Sequence, residues 1–354
     1  MDRRPHRDEA LGQGFVRRLA SWYRGAQRDL PWRRTRDPYR IWLSETMLQQ
    51  TRVDVVIPYY ERFVERFPSL AALADAPESD VLGCWAGLGY YARARNLRRA
   101  AAAVMRDHGG ELPSSAEALA ALPGVGRYTV GALRSIAFGE RAALVDGNVR
   151  RVLARVCGLP APRDTELWRI AESLVPERGA GEWNQALMEL GATVCLPRNP
   201  GCAACPIASD CAARASGDPE RFPAPAKKPA VRRTSAVAGV IARRGRLLLW
   251  RRPSDGLFGG LWELPTVPGS DPAPLLAELE RRTGISARAG ASLGQLRHQL
   301  THRDLRLEVW ALEDRGGRLR PSARADARFC AGPELAELPL SALAQKALAL
   351  ARPM

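Results

Sequence analysis

Six side chains in this sequence have the type and spacing to do chemistry. Cys195, Cys202, Cys205 and Cys211 stand in "CLPRNPGCAACPIASDC", separated by six, two and five residues. Thiols this close can pair as disulfides, hold a metal, or fall together by chance. The opening "MDRRPHRDEALGQG" lacks the apolar stretch of a secretion signal, which implies a cytoplasmic, reducing compartment and disfavours disulfides. Four thiolates in one short loop close around an iron–sulfur cluster or a zinc ion without help from distant chain. Zinc sites usually pair one CxxC with another or with histidines, and neither accompanies this loop. The remaining two side chains are carboxylates. Glu45, in "DPYRIWLSETMLQQTRV", falls on a helix opened by Asp37 as cap and Pro38 at its first position, beside Leu48 and Gln49. Apolar surroundings raise the proton affinity of a carboxyl group, as a general acid requires; the plainer reading is an exposed helix glutamate. Asp146, in "LVDGNVRRVLARVCG", is either the cap of the helix that follows or the partner carboxylate. One proton-donating acid with one carboxylate is the pair that cleaves glycosidic bonds through an oxocarbenium-like sugar.

A third feature handles phosphate. "LPGVGRYTVGALRSIAFG", residues 122–139, places a Leu-Pro-Gly-Val-Gly turn between two helices. Gly124 and Gly126 are expected to take positive φ and, with Val125, to bring backbone close to a partner. The next helix then offers free N–H groups to an anion, as in a helix-hairpin-helix clamp on the DNA backbone; any turn between helices also tolerates glycine. Arg198, inside the cysteine loop, and Arg214, just after it, are placed to touch phosphate if the loop is rigid. A formal net charge of +15 fits a polyanion partner, or else a compositional bias toward Ala, Arg, Gly and Pro. Lysine occurs only at Lys227, Lys228 and Lys346.

The elements that must hold these residues change character along the chain. Residues 1–222 read as helical: Val53, Val56, Ile57, Tyr60, Phe63, Val64 and Phe67 recur at helical spacing, and "YARARNLRRAAAAVMRDHGG" is a helix closed by Gly109. Residues 223–234 form a proline-rich basic linker. From residue 235 to 354 the period shortens to two: "AVAGVIARRGRLLLW" reads as a hairpin and "LRLEVWAL" as an alternating strand, with the helix "PAPLLAELERRTG" between them. With 354 residues and 46% hydrophobic content the chain can bury two cores, and no run of eighteen apolar residues suggests a membrane span. The expectation is a multi-domain chain: an all-α domain, a tether, and a smaller α+β domain. Cys84, Cys157 and Cys330 are expected as small core residues.

A helix-hairpin-helix, an aspartate about twenty residues on and a Cys-x6-Cys-x2-Cys-x5-Cys loop, taken together over residues 30–211, resemble the endonuclease III superfamily of DNA glycosylases. "WLSETMLQQT" and "LPGVGRYTVGA" are similar to the motifs of its MutY-type adenine DNA glycosylases. The resemblance implies a [4Fe-4S] cluster on the four cysteines, Glu45 protonating adenine at N7, and Asp146 stabilising the sugar cation. It implies supporting hydrogen bonds from Tyr128 and Asn148, and DNA-wedging side chains at Gln50 and Tyr90. Bifunctional relatives carry a lysine where this chain has Tyr128, and no lysine precedes Lys227, so a monofunctional enzyme without lyase chemistry is expected. "GGLWELP" and "LLAELERRTGI" resemble a Nudix fold whose metal-binding glutamates are replaced by Arg281 and Arg282. The implied role of this domain is recognition of 8-oxoguanine opposite adenine. Leu300, Thr301 and His302 match the recognition loop, Leu300 standing where an aromatic is usual. The implied partner is double-stranded DNA with adenine opposite 8-oxoguanine or guanine, engaged by a monomer.

Overall fold

The computed structural model describes residues 11–225, 231–300 and 302–351. The chain separates into two compact units, Met1–Ala74 with Arg99–Lys227, and Asp75–Arg98 with Lys228–Met354. The sequence reading draws its boundary at the 223–234 linker alone; the contact division also assigns Asp75–Arg98 to the second unit. Among the described residues, no helix is long and apolar enough to cross a membrane.

The described part of the first unit is helical throughout. Its middle is the Pro38–Leu48 helix, in which Tyr39, Ile41, Trp42, Leu43, Ser44, Glu45, Thr46 and Met47 are all buried. A helix apolar on nearly every side has no solvent face and must sit inside the bundle. Its start is the expected one: Pro38 needs no N–H partner, and the Asp37 carboxylate accepts from the Tyr39 N–H at 2.9 Å. The Ala180–Thr193 helix is equally central, with Trp183, Leu187 and Leu190 buried. The Asn184 amide donates to Ser135 Oγ and the Ala142 carbonyl, both at 2.8 Å, tying this helix to the segment after the hairpin. The Gly147–Cys157 helix starts on Asp146 as its cap and ends at Gly158 with φ 69°. The Asp164–Leu174 helix starts after Arg163 with no side-chain cap.

Among its described residues the second unit carries eight strands: β1 (Arg232–Val240), β2 (Ala242–Arg243), β3 (Arg246–Arg251), β4 (Trp262–Glu263), β5 (Thr266–Pro268), β6 (Ile285–Leu300), β7 (Arg303–Gly317) and β8 (Ala327–Cys330). One sheet runs β5-β1-β7-β6, with β1 and β7 parallel and the other neighbours antiparallel. The other joins β2, β3 and β4, with β8 on β3. The expected hairpin in "AVAGVIARRGRLLLW" is therefore limited to β2 and β3, paired Ala242 to Leu247; β1 belongs to the other sheet. Adjacency in sequence favoured the short pairing, but β1 gains nine consecutive partners along β7 instead. The alternation in "LRLEVWAL" holds: Leu305, Leu307 and Val309 are buried, with Arg306 exposed and Glu308 half-buried between them. Of the three outlying cysteines only Cys330 is buried; Cys84 and Cys157 are half-buried.

Candidate active site and cysteine loop

Glu45, Tyr128, Asp146 and Asn148 line a single cavity of about 600 Å³ in the first unit. Glu45 is 5% exposed, and the Tyr128 hydroxyl donates a short hydrogen bond to its Oε2. Burial pushes the Glu45 carboxyl up to about 7; the Tyr128 bond and Arg33 oppose this, and nearby Asp146 adds to it. Near neutral pH this group therefore keeps a transferable proton. Asp146 lies half-buried at the start of its helix, with Oδ1 accepting from the Val149 N–H at 2.7 Å and Oδ2 from the Asn148 amide at 3.0 Å. Burial raises its proton affinity, and these two donors counter it by favouring the carboxylate. The cap and the carboxylate readings of Asp146 are thus one: the cap geometry supplies the donors that hold the charge. Desolvation, then the charges of Glu45 and Asp146, push the Tyr128 phenol well above its usual range, so it stays a donor.

Behind Asp146 a continuous network runs to the cysteine loop. Asn148 Oδ1 accepts from Arg151 at 2.8 Å, and the same guanidinium donates to the carbonyls of Cys195 and Gly191, each at 2.7 Å. This approach needs glycine at 191, because a Cβ there would lie 2.5 Å from Asn148 Cβ. Arg155, 2% exposed, donates to Cys195 Sγ at 3.3 Å and to the carbonyls of Leu196, Pro197 and Phe222. These bonds tie the loop presenting Arg198, which is exposed, to the Gly147–Cys157 helix. Cys195, Cys202, Cys205 and Cys211 surround one small cavity and are not paired with one another. Among the described residues no three metal-binding groups converge closely on one point. Four thiols spread around a shared space do suit a cluster, in which each iron takes one thiolate. Burial, chiefly, raises the Cys205 thiol to about 11, and the other three cysteines add to it. Bare thiolates are thus unfavourable there, and a bound cation would have to stabilise them.

The hairpin follows its sequence in part. Gly124 takes φ 77° and Val125 is buried beneath it, while Gly126 caps the Arg127–Ala132 helix at φ −98°, contrary to the expected positive φ. Extended geometry is what a capping residue adopts, so Gly126 serves as cap and Gly124 alone makes the turn. Gln50, exposed at the cavity rim, sits at φ 57°, and Tyr90, 43% exposed, at φ 49°. Such backbone costs a non-glycine residue of order 1–3 kcal/mol and is kept where a side chain must be aimed. The Arg93 guanidinium lies over the rings of both Tyr90 and Trp85, at 5.2 and 5.5 Å. Leu300 ends β6, half-buried, and His302 is exposed; Thr301 lies outside the described residues. In the second unit Arg281 pairs with Glu278, and Arg282 stacks on Trp250 at 4.5 Å. The positions that would need acids to hold metal thus present cations.

Sequence reasoning missed one wall of the cavity. Glu189 is fully buried and accepts from Arg28 and from Arg33 at 2.7–2.8 Å. Burial would push this carboxyl up, but the arginine bonds outweigh it and hold it at about 2. Trp32 and Gln185 line the same wall. The signal was present in "QALMELGA", a glutamate inside an apolar helical run, as at Glu45.

Residues 43–177 match the HhH-GPD superfamily base excision DNA repair proteins, and residues 236–350 match the NUDIX domain. The adenine DNA glycosylase of Homo sapiens is 39% identical over 371 residues, covering 86% of this chain and 68% of that protein. That of Mycobacterium tuberculosis (strain CDC 1551 / Oshkosh) is 42% identical over 240 residues, covering 65% and 76%. Among solved structures, a thermostable thymine-DNA glycosylase superposes with a TM-score of 0.54 at 32% identity, over 61% of this chain and 100% of that one. An endonuclease III trapped covalently on DNA, at 22% identity and a TM-score of 0.53 over 59% and 98%, shares the fold of the helical part. With its acid–carboxylate cavity, its helix-hairpin-helix and its NUDIX half, this chain belongs to the adenine DNA glycosylase family.

Proposed function

We propose that this protein removes adenine from duplex DNA where it lies opposite 8-oxoguanine or guanine, by acid-assisted hydrolysis of the N-glycosidic bond. The observation that carries this reading is the pairing of a buried Glu45 carboxyl, protonated near pH 7, with a hydrogen-bonded Asp146 carboxylate in one cavity. A duplex hides the scissile bond, so the base must leave the stack and enter that cavity. There Arg28, Gln185 and the Glu189 wall supply hydrogen-bonding groups for a base edge. Glu45 delivers its proton to adenine N7, which makes the base a better leaving group. Asp146, kept anionic by Val149 and Asn148, opposes the positive charge that develops on the sugar. The strained Gln50 and Tyr90 fill the gap left in the stack, while Gly124, Val125, Gly126 and Arg198 meet phosphate. Leu300, Thr301 and His302 read the base opposite. Cys195, Cys202, Cys205 and Cys211 would hold a [4Fe-4S] cluster, whose bonds would close the loop behind the Arg151 network. With Tyr128 in place of an amine, no Schiff base forms.

The test is base release under single turnover from three duplexes: adenine opposite 8-oxoguanine, adenine opposite guanine, and an oxidised pyrimidine. Adenine should be released from the first two only, the strand breaking only after alkali or heat, with little complex trapped by borohydride. Release of the pyrimidine with efficient trapping would make the protein a lyase of the endonuclease III kind; tight binding without release would make it a damage binder.

A further inference from the structure

Beside the excision cavity lies a second one that no step of the proposed reaction uses. It measures about 580 Å³ and is also confined to the first unit. Trp32, Arg33, Ile136 and Gln185 line both cavities and so form the partition between them. Gln50, Gly124, Val125, Gly126 and Arg198, the groups of this unit proposed to meet DNA, line none of the second cavity. The partition is not uniformly firm. Trp32 is buried edge-on against Tyr60, with 5.3 Å between ring centres. Arg33 donates to buried Glu189 at 2.7 Å and to the Arg28 carbonyl at 3.0 Å. Gln185 is held less well. Its amide oxygen accepts from the Tyr23 hydroxyl at 3.3 Å and its NH2 donates to the Gly181 carbonyl at 3.2 Å, both long for such bonds. Next to it, Ile136 sits in a widened π-helical turn, in which the Phe138 N–H reaches back five residues to the Leu133 carbonyl at 3.1 Å. Single turns of this kind recur at functional sites. Gly181, one turn before Gln185, lets its helix close on that turn, since a Cβ there would lie 2.5 Å from the Ser135 carbonyl oxygen.

We infer that the second cavity is the exit site for the excised purine base, with Gln185 and Ile136 as the gate between it and the excision cavity. This rests on the reading of the protein as an adenine DNA glycosylase. The duplex that delivers the base still covers the mouth of the excision cavity after the bond breaks, so the base cannot leave by the way it entered until the DNA does. The base gains the Glu45 proton at N7 and keeps the bonding electron pair at N9, and so departs uncharged. A neutral purine calls for a few amide or hydroxyl partners and an aromatic wall rather than a free charge. Gln27, Thr35, Gln185, Tyr23 and Trp32 supply these. Of the charged groups around the cavity, Arg33 is paired with Glu189, Arg34 with Asp29 and Glu182 with Arg24, while Arg36 is exposed.

The experiment separates bond cleavage from base release in the full chain under single turnover. The duplex carries radiolabelled adenine opposite 8-oxoguanine. Alkali quenching counts cleaved bonds, and rapid filtration that retains protein-bound DNA counts free adenine. In the unaltered protein, adenine should reach the filtrate as fast as bonds are cleaved, while the abasic duplex is still retained. Thr35→Trp and, separately, Gln27→Trp at an exposed position should leave cleavage unchanged and delay adenine release by about tenfold or more. Thr35→Ser and Gln27→Ala should release it at the ordinary rate. Adenine release that waits for DNA dissociation in the unaltered protein overturns the inference, as does ordinary release from both tryptophan variants. Equal slowing of cleavage and release also overturns it, and would mark the cavity as a path for water. Absence of cleavage by the unaltered protein would instead overturn the proposed function, so the two failures are distinguishable.

Discussion

Glu45 is a folded-state acid whose environment costs stability in order to hold a proton. Its carboxyl sits at about 7 in the folded chain against an ordinary value of 4.5. The folded form therefore binds the proton more tightly than the unfolded form. The sign follows: stability falls as pH rises from about 4.5 to 7, and above 7 the ionised group costs on the order of 3 kcal/mol. Glu45→Gln removes the ionisation while keeping the shape. It should raise the unfolding free energy at pH 8 relative to pH 5, read by denaturant titration at both. The same change should lower single-turnover excision by about a hundredfold or more and leave DNA binding largely intact, since phosphate contacts lie elsewhere. In the unaltered protein, excision should decline as pH rises through about 7, where the acid loses its proton. A flat rate profile from pH 6 to 9 would return Glu45 to an ordinary helix glutamate.

At the scale of elements, the packing of the Gly147–Cys157 helix against the Ala180–Thr193 helix positions both carboxylate and loop. Gly191→Ala would place a methyl 2.5 Å from Asn148 Cβ. Overpacking of this kind costs about 1–3 kcal/mol. The added methyl should also push Asn148 off Asp146, so excision should fall about tenfold while the melting temperature drops by only a few degrees. The cysteine loop is the second such element. Protein purified without oxygen should be brown and contain iron rather than zinc, and Cys202→Ser should reduce its iron content. Stoichiometric zinc in such preparations would refute the cluster. Iron removal should expose residues 195–211 to protease, because Arg155 and Arg151 then hold the loop by hydrogen bonds alone.

For the whole molecule, the two family matches fall on separate stretches of the chain, residues 43–177 and 236–350, and the proposed function assigns excision to the first and reading of the opposite base to the second. A chain ending near Pro223 keeps the cavity, the hairpin and the cysteine loop. It should still remove adenine opposite guanine, with weaker binding and a shallower salt dependence. Its preference for 8-oxoguanine over guanine should shrink most, by about ten- to a hundredfold, since each lost hydrogen bond to a buried base edge is worth roughly 1–3 kcal/mol. The ratio of excision rates on the two mispairs, compared between the full and shortened chains, measures this. Equal ratios would place recognition of the opposite base in the helical half.

Much of the site was legible in the amino acids alone. Asp37-Pro38 announced a helix start, Gly124 a turn, the spacing of four cysteines a shared centre, and Asp146 a cap, because caps, turns and short ligand loops obey rules only a few residues long. The helical and α+β textures were equally plain, since periods of 3.6 and 2 are local. Tertiary structure decided what depends on distant chain. Glu45 and Tyr128, 83 residues apart, meet only when two helices pack, and that desolvation moves the carboxyl to about 7. Glu189 becomes part of the cavity because Arg28 and Arg33, over 150 residues away, neutralise it. The choice of β7 over β3 as partner for β1 was likewise set by register over a long separation. Burial, ion pairing and sheet register are sums over the whole fold, and no short stretch of sequence contains them.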